Sequence, residues 1–142
     1  MQAVSQSESV SKVQLWVGRA MSAVLILFMI FDGAIKLPPL DIVTQTSAQM
    51  GLPVDPGFAR TLGIIGLVST ALYALPRTSV LGAILLTGYM GGAIATHLRI
   101  GSPLFSHTLF GVYLGVLVWG GLWLRDRRVR ALIPVSSRRN PS

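Results

Sequence analysis

Residues 79–100 read SVLGAILLTGYMGGAIATHLRI, and no charged side chain occurs between Ser79 and Thr96. Wound as a helix, this stretch is roughly 33 Å long, enough to cross a hydrocarbon layer of about 30 Å. The rest of the chain offers no water-soluble setting for it. Of 142 residues, 51% are hydrophobic and only 12% are charged, with five acids against twelve bases. A soluble domain needs a charged skin that this composition hardly supplies. Lipid is the alternative solvent, because an apolar helix surface facing acyl chains needs no charge.

Working outward, three further apolar runs have the same character: about 15–37, 58–75 and 104–124, with 79–100 as the third of four. Proline and glycine punctuate the gaps, at Pro38-Pro39, Pro56-Gly57, Pro76 and Gly101 with Pro103, where helices end. The first run resembles a secretory signal, with Lys12 and Arg19 ahead of Ala20 to Phe31. No clean small-x-small cleavage site follows, so a retained helix is expected. The sequence therefore predicts an all-α fold: a four-transmembrane-helix bundle forming one domain over 15–133. A polar tail at 1–14 and a basic tail at 134–142 flank it. Within the long first connection, DIVTQTSAQM (41–50) predicts a short amphipathic helix in the first outer loop. Asp41 is expected to cap its start, and Gly51 to end it with Leu52 packing back. Ile42, Val43 and Met50 form its apolar side.

The net charge is +7, and its distribution matters more than its size. Arg125, Arg127, Arg128, Arg130, Arg138 and Arg139 follow the last apolar run directly. Such clusters mark the cytoplasmic end of a span and attract anionic headgroups, so no nucleic-acid partner is expected. With four spans, both termini share a side. That side holds nine of the lysines and arginines; Lys36, Arg60 and Arg99 lie on the other. Both termini are thus expected in the cytoplasm. Trp16, Tyr73, Trp119 and Trp123 fall near the same inner boundary, where amphipathic rings prefer to sit. The chain has no cysteine, which excludes disulfides, thiol redox chemistry and cysteine-ligated zinc or iron–sulfur clusters.

Between lipid-solvated helices, small residues permit close approach. Gly88 to Gly92 and Gly111 to Gly115 have small-xxx-small spacing. They are expected to pack within one bundle; a homo-oligomer joined through these glycine-rich faces is the alternative.

Ionisable groups near the outer rim are the informative polar residues. Asp32 and Lys36 lie four apart, on one helix face. From the inner ends of their spans, Asp32, His97 and His107 lie at roughly 24, 27 and 26 Å of helical rise. Three helices therefore deliver polar groups to one layer. A carboxylate there needs a partner: Lys36 first, or a histidine, whose proton the carboxylate would hold. Tyr89, two turns before His97, shares its face. The candidate ligand-binding residues are Asp32, Lys36, Tyr89, Thr96, His97 and His107, and they suit a polar head such as a quinone carbonyl. A purely structural ion pair with interfacial histidines stands as the alternative. No spacing motif supports a metal site, and no catalytic residue can be assigned.

Three stretches carry a family resemblance: FDGAIKL (31–37), LGAILLTGYMGGAIATHLRIGSP (81–103) and LWLRDRRVRALIP (122–134). Over about 18–134 the chain resembles the DoxX-like family of small bacterial four-span membrane proteins. The resemblance implies a four-helix bundle in the bacterial inner membrane. The family's namesake is similar to a subunit of a sulfur-oxidising quinone oxidoreductase, which raises quinone as a cofactor and a membrane oxidoreductase as a partner. Relatives tied to thiol redox stress would use cysteine, and this chain has none. The function expected is binding of a quinone or lipid in an outer-facing cavity, or service as an accessory subunit, rather than self-sufficient catalysis. A structural or assembly protein and a small transporter are the alternatives.

Overall fold

The computed structural model describes residues 11–133; the tails beyond, with Arg138 and Arg139, lie outside the described residues. Every regular element among them is helical: α1 (Lys12–Lys36), α2 (Asp41–Gln49), α3 (Pro56–Ala74), α4 (Ser79–Arg99), a π-helical turn (Leu104–Thr108), α5 (Phe110–Arg125) and α6 (Arg127–Leu132). Helices α1, α3 and α4, and the π turn together with α5, are each long and apolar enough to cross a membrane. The protein is a four-span membrane bundle.

Local chemistry sets the helix ends. α1 begins before the apolar run because Ser11 and Gln14 form a reciprocal capping box, which draws polar residues into the first turn. Asp55 accepts from Phe58 N at 3.2 Å and Pro56 occupies the first turn of α3, where its missing N–H is no loss. α2 is present, but Asp41 is not its cap. Leu40 has the extended backbone of the cap, and Asp41 already lies in the first turn, where its charge faces the positive helix end. The other end follows expectation. Gly51 takes φ +63°, Gly51 N donates to Ala48 O (3.1 Å) and Leu52 N to Ser47 O (2.9 Å), closing a Schellman motif. The fourth span is not one continuous α-helix. Its first turn is π-helical, with Thr108 N bonding Pro103 O and Leu109 N bonding Leu104 O, and α5 proper begins at Phe110.

The four spans close a ring in which α1 packs on α3 and α5, and α4 packs on the same two helices from the opposite corner. Leu25, Met29, Leu86, Val118 and Leu122 fill the middle. Val24, Leu27, Ile64, Ile84 and Val116 remain exposed, as acyl-chain-facing side chains should. Glycine permits the tight crossings, but at other positions than the spacing suggested. A Cβ on Gly82 would overlap the backbone of Tyr73, and one on Gly18 would lie 2.9 Å from Gly121 O. Gly111 does sit against Ile94 and Met90, whereas Gly88, Gly92 and Gly115 have nothing within 4 Å of a Cβ position. The expected intrabundle packing of these three is therefore overturned. α3 and α4 approach most tightly at Tyr73 and Gly82, near the loop joining them, and meet again where the Tyr89 ring lies against Gly66.

The end of the bundle nearest the described termini is not plain apolar scaffold. Tyr73, expected at the interface, is wholly buried. Arg125 Nε donates to Ser22 Oγ (3.0 Å), Ser22 and Tyr73 share a bond of 3.0 Å, and Tyr73 donates to Val118 O at 2.8 Å. The Arg125 guanidinium also lies 5.3 Å over the Tyr73 ring. α6, which the apolar pattern did not reveal, turns back here. Arg130 donates to the carbonyls of Trp123 (2.7 Å) and Leu124 (2.9 Å), two groups that the end of α5 leaves unpaired. Arginines that read as topogenic thus also close helix ends.

Asp126 joins α5 to α6 and carries a pH prediction. Partial burial pushes its carboxyl up, but hydrogen bonds from the Arg128 side chain and backbone, with the charges of Arg128 and Arg125, outweigh this and hold it below the usual carboxylate range. A carboxyl lowered on folding contributes stability at neutral pH that is lost as pH falls below about 4, through the depressed native value. Asp126→Asn should keep the cap on α6 yet remove this part of the acid sensitivity. Thermal midpoints recorded between neutral and strongly acidic pH check it; parallel curves for parent and variant would exclude the assignment.

A candidate ligand cavity at the lid end

Opposite the termini, the bundle holds a cavity of about 700 Å³ roofed by α2 and lined by α1, α3, α4, the π turn and α5. Its size falls in the range of small-molecule sites. The walls are mainly apolar, from Phe28, Leu62, Ile65 and Leu114 among others, and Val43 and Ser47 of α2 face it from above. α2 is held in place by Arg99, whose Nη2 donates to Met50 O at the end of α2 (2.5 Å). Arg60 closes α1 similarly, donating from Nε to Leu37 O at 2.9 Å.

Asp32, Lys36, Tyr89, Thr96, His97 and His107 all line this cavity. They do not form one cluster. Asp32 pairs with Lys36, its neighbour one turn on. Lys36 Nζ also donates to Tyr89 Oη (3.0 Å), and Tyr89 Oη donates to the same Asp32 oxygen at 3.4 Å. The three close a triangle linking α1 to α4. Neither histidine bonds Asp32, so the partner expected first, Lys36, is the one that pairs with it and the alternative aspartate–histidine pair is not formed. The reason is height along α4. Tyr89 precedes His97 by roughly 12 Å of rise, so Tyr89 meets Asp32 and His97 remains above it.

The histidines instead meet each other. His97 at the end of α4 and His107 in the π turn stand edge to face, with ring centroids 5.8 Å apart. Each ring is oriented through Nδ1, His97 by Ser102 Oγ at 3.0 Å and His107 by Ser106 Oγ at 2.7 Å. Thr96 donates its hydroxyl proton back to Gly92 O within its own helix (2.9 Å). Among the described residues, no three metal-ligating side chains gather. No buried side-chain nitrogen or oxygen among them lacks a partner.

An outer-facing cavity was expected from the sequence, but not the glycines that shape its α4 wall. Gly88 and Gly92 line the cavity and leave its α4 wall low. Their spacing was legible, but spacing alone cannot tell a close contact from an opening. Val43 lies on the apolar side expected for the lid, whereas the contribution of Ser47 was not foreseen.

The sequence profile of the DoxX-like family matches residues 20–121, which takes in α3, α4, the π turn, most of α1 and α5, and the whole cavity wall. No curated protein and no solved structure matches the chain. With most of its length matched and four apolar spans in place, this protein belongs to the DoxX-like family.

Proposed function

We propose that the lid-end cavity binds a small amphiphile, a quinone or a lipid, and that the protein serves a membrane redox complex as an accessory, ligand-holding subunit. One observation carries the proposal: a largely apolar chamber of about 700 Å³ holds, on its α1 and α4 walls, the linked Asp32, Lys36 and Tyr89. Apolar walls with a few convergent polar groups suit a molecule with a tail and a polar head. The oriented histidines add hydrogen-bonding nitrogens to the chamber lining. A bacterial inner membrane with both termini cytoplasmic goes with this proposal. The asymmetry of lysine and arginine supports that orientation, and it would turn the cavity away from the cytoplasm.

The test uses the purified protein in detergent with a decyl-substituted benzoquinone and an octadecanoyl ester as probes. A bound probe raises the unfolding midpoint. Tyr89→Phe and His97→Ala each remove a polar contact worth about 1 kcal/mol, so affinity should fall roughly five- to tenfold with membrane insertion intact. Equal stabilisation of the parent and both variants, or of none, would instead favour a purely structural polar layer.

A further inference from the structure

The cavity has a side as well as a roof. Gly88 and Gly92 are one turn apart on one edge of α4, and both are exposed although they line the chamber. On the facing edge of α3, Ile65 lines the same chamber and is also exposed, with Phe58 two turns nearer the lid. A Cβ at Gly88 or Gly92 would meet nothing within 4 Å, so no neighbouring side chain covers this edge of α4 beside the chamber. The edge lies inside the apolar length of its span and therefore faces acyl chains. Toward water, by contrast, α2 covers the chamber, tied down by Arg99.

Inside, the charges balance. Asp32 and Lys36 neutralise each other, and Tyr89 is bonded to both. An anionic head would set two negative charges against Lys36 alone, and a cationic head would set two positive charges against Asp32 alone. Either case leaves one charge unbalanced in an apolar chamber, which is costly. An ammonium has three donors, and two are used here, on Asp32 and Tyr89. One donor remains for an acceptor that brings no charge.

We infer that the ligand enters sideways from the bilayer, between α3 and α4 past Gly88 and Gly92, and that it carries an uncharged, hydrogen-bond-accepting head such as an ester or ketone carbonyl. This rests on the amphiphile-binding proposal above and adds to it a route and a head-group class. The tail follows the head and lies in the gap, so the chamber need hold only the head and the first part of the chain.

Three photoreactive probes with the same octadecyl chain, ending in a methyl ester, a carboxylate or an amine, test both parts in phosphatidylcholine vesicles holding the full-length protein. The ester should label cavity-lining peptides about tenfold more than either charged probe, a preference of about 1.4 kcal/mol. Gly88→Leu and Gly92→Leu, which build a side chain into the gap, should each slow labelling by the ester about tenfold. Gly91→Leu, on a neighbouring face with equally open space, should leave it within about twofold. Equal labelling by the three heads overturns the head-group class. Labelling that is lost in Tyr89→Phe but unchanged in both gap variants overturns the sideways route and leaves amphiphile binding standing. No labelling of the cavity by any probe overturns both.

Discussion

Gly82→Ala should destabilise the protein more than any other single added methyl group. The new Cβ would fall on the backbone of α3, overlapping Tyr73 and lying 2.7 Å from the carbonyl carbon of Leu72. A flexible side chain can turn aside, but a helix backbone can yield only by moving as a whole. Overpacking typically costs about 1–3 kcal/mol, and a clash with backbone belongs at or above the top of that range. The loss extends past the contact, because Tyr73 carries the bonds to Ser22 and Val118 that tie α3 to α1 and α5. Moving α3 off α4 here would also shift the chamber walls that both helices supply. Gly88→Ala is the matched control on the same helix. It meets nothing within 4 Å and should be neutral, or stabilising by up to about 1 kcal/mol through helix propensity. Unfolding midpoints in detergent for the two variants give the comparison. Similar midpoints would mean that the α3–α4 crossing tolerates more separation than its geometry implies.

Asp32→Ala is expected to have the next largest effect, and to act on stability and binding together. It leaves the Lys36 ammonium with Tyr89 alone inside the cavity rim. Breaking a buried pair costs about 3–5 kcal/mol; these side chains keep 18% and 26% of their exposure, so about 2–3 kcal/mol is the appropriate scale. Replacing both partners by apolar residues of similar volume, as in Asp32→Leu with Lys36→Met, should restore most of that stability because no orphaned charge remains. The double variant should still bind the ester and quinone probes poorly, since the free Lys36 donor is gone. Recovery of stability without recovery of binding would separate a ligand-holding role from an architectural one. Full recovery of both would assign the pair to structure alone.

How far the site was legible from sequence depended on whether the signal was local. Asp32–Lys36 was readable because residues four apart on a helix share a face. The lid helix was readable from its apolar side and its closing glycine, though its cap was displaced by one residue. That Tyr89 rather than a histidine completes the pair was not readable. Rise along a helix places residues within that helix, and the partner depends on how deeply α1 sits against α4. Tyr73 shows the same limit. An amphipathic ring near a span's end suits the membrane interface equally well, and its burial follows from α3 packing on α4 at Gly82 and meeting Ser22 and Val118. Gly88 and Gly92 had the spacing of a contact and proved to edge an opening.

The sequence by itself determined that this protein lives in lipid, crosses it four times, and carries a short helix over one end. Each of these follows from solvent chemistry and the rise of a helix, which act on consecutive residues. Only the tertiary structure decided which glycines close the bundle and which leave it open, and which polar groups meet. Those outcomes depend on the distance between helices far apart in sequence. In the stretch from Ser79 to Ile100 both kinds of information coincide. Its apolar length makes it a span, while its packing on α3 turns Gly82 into a crossing point and Gly88 and Gly92 into the edge of a cavity.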